Sequence, residues 1–220
     1  MKKILSILAI SLWFSTSAFA TAEEKLFDSA NSLRNILRDT KGITPKIINS
    51  AHAIAIFPSS IRLGFYVGGK TGKGVMVARR GDGTWSNPFF VVMGGGSFGF
   101  QFGVEVNDTL LIFKNKEIIQ KIAQGKITLG ADASITAVTF DKSKNATAEA
   151  TFGPQVLVYE HGKGLYAGVS LEGSMISCDE EFNAELYGSV MTPEKIISSQ
   201  PLSSSYAIGE FLHALEVLEK

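Results

Sequence analysis

The chain has 220 residues, with 21 basic and 21 acidic side chains, 45% hydrophobic residues, 22 glycines and one cysteine. An even charge balance lacks the basic excess of a nucleic-acid binder, and a lone Cys178 excludes an intrachain disulfide. The length suits one domain with a sizeable core.

Lys2 and Lys3 precede an apolar run, Ile4 to Phe14, that is short for a bilayer span. Ser17-Ala18-Phe19-Ala20 then ends in the small-x-small pattern that signal peptidase cuts. Residues 1–20 thus read as a secretory signal cleaved near Ala20, with the single domain at 21–220, periplasmic or secreted. The rival is an uncleaved anchor. Without Lys2 and Lys3 the balance becomes 19 basic against 21 acidic, a net charge of −2, so any anion site is local.

Thr21 and Glu24 form a capping box, and Leu26, Ala30, Leu33 and Leu37 recur at helical spacing, predicting a helix from Thr21 to Arg38. Thr44-Pro45 opens a short second helix, and Pro58 closes the apolar run Ala53 to Phe57. Strand patterns follow at Leu63 to Val67, Gly74 to Arg79, Phe89 to Met93, Phe98 to Val106 and Thr109 to Phe113. Arg80-Gly81-Asp82-Gly83 reads as a hairpin connection and Asn107-Asp108 as a tight turn. A helix capped by Asn115 runs through Gln124, with Gly125 as its stop. Strands resume at Lys126 to Phe140, Thr147 to Phe152, Val156 to Glu160 and Leu165 to Ile176, with His161 to Gly164 as a turn. Asp179 to Tyr187 and Thr192-Pro193 begin short helices, and Ser203 or Ser204 caps a final amphipathic one. The class is therefore α+β: a predominantly antiparallel sheet, curved or barrel-like, with helices at both ends.

Several strings imitate known sites. Gly64 to Thr71 matches G-x-x-x-x-G-K-[ST], yet Gly72 to Val77 continue as strand where a P-loop needs a helix, so no nucleotide is expected. Gly94 to Gly99 matches G-x-G-x-x-G without a βαβ unit; three glycines suit a bend or a close backbone approach. His52, His161 and His213 lack metal-ligand spacing, and Ser97 lacks a nucleophile elbow, so neither metal, cofactor nor catalytic residue is assigned. An enzyme would need Asp132, Glu172 and Asp179 to converge in a pocket. Cys178 reads as a small buried apolar side chain.

What remains is a basic and aromatic stretch: Arg62, Phe65, Tyr66, Lys70, Lys73, Arg79 and Arg80, followed by Trp85, Phe89 and Phe90. Cations can meet phosphate headgroups while rings seat among acyl chains. The competing reading is that the cations keep strand edges soluble.

Ala53-Ile54-Ala55-Ile56-Phe57-Pro58, Gly72-Lys73-Gly74, Gly83-Thr84-Trp85-Ser86-Asn87-Pro88, Gly94 through Gln101, Leu129 through Ser134 and Lys163 through Gly173 together resemble the SYLF domain, over about 30–190. The resemblance implies binding of a phospholipid or membrane surface and no catalysis. Arg62, Lys70, Lys73 and Arg79 are then the expected phosphate contacts, with Phe65, Tyr66, Trp85, Phe89 and Phe90 as apolar contacts. An exported chain points to bacterial phospholipid in place of actin or phosphoinositide. The alternative is a structural envelope protein whose glycine-rich face docks a protein partner.

Overall fold

This computed structural model describes residues 20–39, 42–65, 67–98, 103–131, 135–137, 155–162, 171, 173–200, 205–217 and 219, some by backbone alone. The described elements run α1 (Ala22–Asp39), α2 (Pro45–Asn49), β1 (Ala53–Phe65), β2 (Val67–Ala78), β3 (Phe89–Phe98), β4 (Gly103–Phe113), α3 (Lys116–Ala123), β5 (Lys126–Thr128), β6 (Ile135–Ala137), β7 (Val156–Gly162), β8 (Met175–Cys178), α4 (Glu180–Tyr187), α5 (Pro193–Ser198) and α6 (Tyr206–Glu216). The strands form one sheet in the order β5-β8-β3-β2-β1-β4-β7-β6. Pairing is antiparallel from β5 to β7, and β6 joins β7 in parallel. The sheet curls into a half-barrel with helices at both chain ends, the α+β class expected.

Local chemistry explains the helix starts. Thr21 N–H donates to Glu24 Oε2 at 2.9 Å and Glu24 N–H to Thr21 Oγ1 at 3.2 Å, a reciprocal capping box. Thr44, Asn115, Asp179 and Thr192 each accept a first-turn N–H on the side chain. Gly188, with φ +67°, ends α4 in the left-handed conformation that glycine adopts without cost.

Long apolar runs mark strands buried on both faces. On the outer face, Ile54, Ile56, Val75, Val77, Phe90, Leu110, Ile112, Leu157 and Tyr159 pack against Leu26, Leu33 and Ile36 of α1 and Ile208, Phe211 and Leu215 of α6. On the inner face, Ala53, Ala55, Phe57, Met76, Phe89, Val91, Leu111, Phe113 and Val158 pack against Ile118 and Ile122 of α3, with Ile127, Leu129 and Ile176. The leucines of α1 thus serve the core.

The structure corrects five boundaries. Pro58 does not end its strand: β1 continues to Phe65 through a bulge, which admits a proline that a regular central strand would reject. Ser59 sits there at φ +53°, and its N–H donates to Asp108 Oδ1 at 2.8 Å. Asn107-Asp108 is not a turn but mid-strand in β4, opposite this bulge. The chain reverses between Phe65 and Val67, inside what the sequence reads as one strand, because the hairpin pairs Phe65 with Val67. His161 and Gly162 extend β7 because β4 is long enough to pair them, and Ser205 is the N-cap of α6. The expected strand at 147–152, most of those at 126–140 and 165–176, and Ser203 and Ser204 lie outside the described residues.

Candidate functional site

The cations expected to act together are distributed over three places. Lys70, from β2, turns to the inner face and meets Glu160 of β7 at 2.6 Å, with side-chain exposures of 5% and 10%. Beneath them Ser60 Oγ donates to the Asn107 carbonyl at 2.8 Å and lies 2.9 Å from Thr109 Oγ1. Asn107 Oδ1 is buried without a partner. The two charges are compensated by each other in a water-poor setting, where a lone charge is expensive.

Lys73 lies on the outer face by strand alternation. Its Nζ is 2.9 Å from Asp179 Oδ2 and 3.7 Å from the Phe182 ring centroid. Phe182 meets Phe90 edge-on at 5.3 Å. Asn183 holds the Phe90 backbone from both sides: Phe90 N–H donates to its Oδ1 at 2.7 Å, and its Nδ2 donates to the Phe90 carbonyl at 3.1 Å.

Arg79 sits at the far end of β2. Its guanidinium stacks 3.9 Å from the Trp85 ring and donates to Glu219 Oε1 at 2.8 Å, which also accepts from Trp85 Nε1 at 3.1 Å. Arg79 also donates to the carbonyls of Ala51, Gly83 and Ile48, and neighbouring Arg80 to those of Ile197 and Ser199. These arginines fasten chain segments together.

Phe89 and Phe90 are buried in the inner and outer cores respectively, and Trp85 is buried in the outer core. Arg62 and Phe65 lie on β1 just past the bulge and are described by backbone alone; Tyr66 lies outside the described residues. The six expected contacts whose side chains are described, Lys70, Lys73, Arg79, Trp85, Phe89 and Phe90, therefore do not share one surface.

The P-loop string folds as the tip of the β1–β2 hairpin and descends into β2, so no helix follows Lys70. Gly94-Gly95-Gly96 lies within β3, and a Cβ on Gly95 would come 2.7 Å from Ser174 Cα. The close approach expected of that glycine run is thus made by the protein's own backbone. Burial pushes the Cys178 thiol up to about 11, although Asn183 donates to its Sγ at 3.1 Å. Asp132 and Glu172 lie outside the described residues. Among the described residues no three metal-ligating side chains gather, and no helix is long and apolar enough to cross a membrane.

Sequence reasoning missed a different feature. Met175 of β8 pairs with Gly94 of β3, Gly94 with Thr71 of β2, Thr71 with Ile61 of β1, and Ile61 with Val106 of β4. Directly paired residues share a face, so these five form one transverse row on the outer face. Met175, Ile61 and Val106 are 43%, 41% and 48% exposed. The row lies just beyond the helical cover: Lys25 of α1 reaches the Pro58 carbonyl at 3.4 Å, and Lys73 and Asp108 stand one row closer to the helices. The next row outward pairs Gly96 with Gly69, Gly69 with Leu63, and Leu63 with Val104. The signal was available only through register, because Ile61, Val106 and Met175 are far apart along the chain.

Residues 94–218 match the profile of the Ysc84 family, described as Las17-binding protein actin regulator. The chain is 38% identical over 161 residues to Protein YSC84 of Saccharomyces cerevisiae, covering 72% of this chain and 34% of that protein. It is 37% identical over 161 residues to LAS seventeen-binding protein 3 of the same yeast, covering 72% and 35%. It is 33% identical over 172 residues to human SH3 domain-containing YSC84-like protein 1, covering 74% and 50%. The chain thus spans about a third to a half of the length of these relatives, one of which is named as a binding protein.

Proposed function

Because this chain belongs to the Ysc84/SYLF family, we propose that it is a non-catalytic binding domain of the cell envelope that engages phospholipid at the uncovered end of its outer sheet face. The observation that carries the reading is the set of exposed apolar side chains Met175, Ile61 and Val106, which share one register row with exposed Thr71 at the end of the outer face beyond the helices. Phe65 follows Ile61 on the same face of β1 toward the hairpin tip, whereas Arg62 pairs with Lys70 and so belongs to the opposite face. Lys73 borders it from the helix side.

The proposed contact differs from the sequence-based expectation in its driving force. Lys70, Lys73 and Arg79 are held by Glu160, Asp179 and Glu219, leaving apolar contact as the larger contribution. Co-flotation of the protein with phosphatidylcholine and phosphatidylglycerol vesicles tests the reading. Binding to both is expected; remaining wholly unbound to either would exclude it.

A second reading is favoured by the relatives named as Las17-binding: the same face docks a protein partner. It predicts a stoichiometric protein complex that persists after detergent removes all lipid.

A further inference from the structure

Sharing only its envelope location with the functional reading above, we propose that the bond hydrolysed on export is the one between Ala20 and Thr21, and that the ammonium released on Thr21 becomes a charged member of the α1 cap, facing Glu24. The sequence offers the small-x-small pattern in three registers: Thr16-Ser17-Ala18, Ala18-Phe19-Ala20 and Ala20-Thr21-Ala22. The fold separates them. A cut after Ala22 would remove Thr21, whose hydroxyl accepts the Glu24 N–H at 3.2 Å and whose carbonyl accepts the Lys25 N–H at 2.9 Å, so α1 would start uncapped. It would also remove Ala22, which is 1% exposed within the outer core and donates its N–H to Glu185 Oε1 of α4 at 2.9 Å. A cut after Ala18 would keep both residues but leave the Thr21 nitrogen an amide. The cut after exposed Ala20 retains every cap contact and sets a new charge there.

The surroundings of Thr21 suit that charge. Glu24 Oε2 lies 2.9 Å from the Thr21 nitrogen, Glu185 meets the next nitrogen along, and Glu23 Oε1 accepts from Ser205 Oγ, the N-cap residue of α6, at 2.9 Å. Among the described residues none of these three carboxylates forms an ion pair, so the start of α1 gathers acids without a cation. Hydrolysis supplies one: water adds across the amide, Ala20 leaves as a carboxylate, and the Thr21 nitrogen takes up a proton to become an ammonium. An amide offers Glu24 one N–H, whereas the ammonium offers three and a full charge. A cation at a helix N-terminus opposes the helix dipole, and the neighbouring carboxylates offset this. The mature terminus thus lies where α1 meets α4 and α6.

The test expresses the full chain in an exporting bacterial host and reads the intact mass and N-terminal sequence of the protein recovered from the envelope. A start at Thr21-Ala22-Glu23-Glu24 is expected; a start at Phe19 or Glu23, or an uncut chain, would overturn the assignment. Ala20→Leu removes the small residue before the bond, so it should abolish the Thr21 start and leave the Thr21 nitrogen an amide. The contact itself is read by Glu24→Gln, which keeps the reciprocal hydrogen bonds of the cap but loses the charge. With both proteins in the same detergent, Glu24→Gln should lower the melting temperature of the mature protein by about 1–3 °C and that of the Ala20→Leu chain by less. Equal shifts would overturn the ion pair. Ala20 and Glu24 are exposed, and circular dichroism confirms that each variant is folded. An exported chain cut elsewhere overturns this proposal and leaves the phospholipid reading standing, whereas an uncut chain retained in the cytosol also removes the envelope location from that reading.

Discussion

Lys70 and Glu160 touch at 2.6 Å although β1 and β4 lie between their strands and their positions are four residues out of register. On a flat sheet their Cα atoms would stand roughly 14 Å apart across the strands and ~13 Å along them, beyond the reach of the two side chains. The pair is therefore a chord across the half-barrel. Since both partners are buried, Lys70→Met should destabilise the fold by about 3 kcal/mol by removing the cation that faces the buried Glu160 carboxylate. The double variant Lys70→Met/Glu160→Leu should recover most of that loss in urea denaturation. Additive losses would mean that the two charges do not compensate one another.

Two glycines should respond in opposite ways to the same substitution. At Gly74 a Cβ would come 2.4 Å from the Ile56 carbonyl oxygen and 2.5 Å from the Phe57 ring, so Gly74→Ala should cost about 1–3 kcal/mol. At Gly94 the space is open, and Gly94→Ala should be neutral or stabilising by up to about 1 kcal/mol. Equal melting temperatures for the two variants would contradict this packing.

Stability should decline on the alkaline side. Burial raises the Cys178 thiol from 9.0 to about 11 and the Tyr159 phenol from 10.0 to about 12, so the fold favours both neutral forms. Their contributions are full below pH 9; the cysteine part is lost as pH rises toward 11 and the tyrosine part between 10 and 12. Urea midpoints should therefore fall from pH 9 upward, and Cys178→Ala should flatten the first part of that fall. A parent profile flat to pH 11 would contradict the burial of the thiol.

Vesicle binding should depend only weakly on salt. Of the four cations expected to meet phosphate, Lys70, Lys73 and Arg79 are occupied by carboxylates. Raising ionic strength from low to physiological should change the bound fraction less than twofold, because few lipid phosphates are neutralised by free cations. A steep loss with salt, measured by co-flotation, would return the weight to electrostatics.

Local signals were the legible part of this chain. The Thr21/Glu24 box and the Asn115 and Asp179 caps depend on neighbours within a few residues, and each is where the sequence puts it. The Pro58 stop and the Asn107-Asp108 turn were misread because a bulge in β1 absorbs the proline and holds Ser59 against Asp108, forty-nine residues away. The arrangement of the cations was hidden for the same kind of reason. Proximity in sequence suggested that Lys70, Lys73 and Arg79 act together, but strand alternation sends Lys70 and Lys73 to opposite faces, and β2 is long enough to carry Arg79 to the other end. Their carboxylate partners and the exposed row are products of strand order, which no single stretch of sequence states.

The most direct measurement places a tryptophan in the row as Ile61→Trp and adds vesicles whose acyl chains are brominated. Trp85 is buried at the opposite end of β2 and serves as the internal reference. Quenching well beyond that of the parent protein is predicted, since residue 61 would lie against the hydrocarbon. Vesicle binding that persists with no more quenching than the parent would place the contact elsewhere on the molecule.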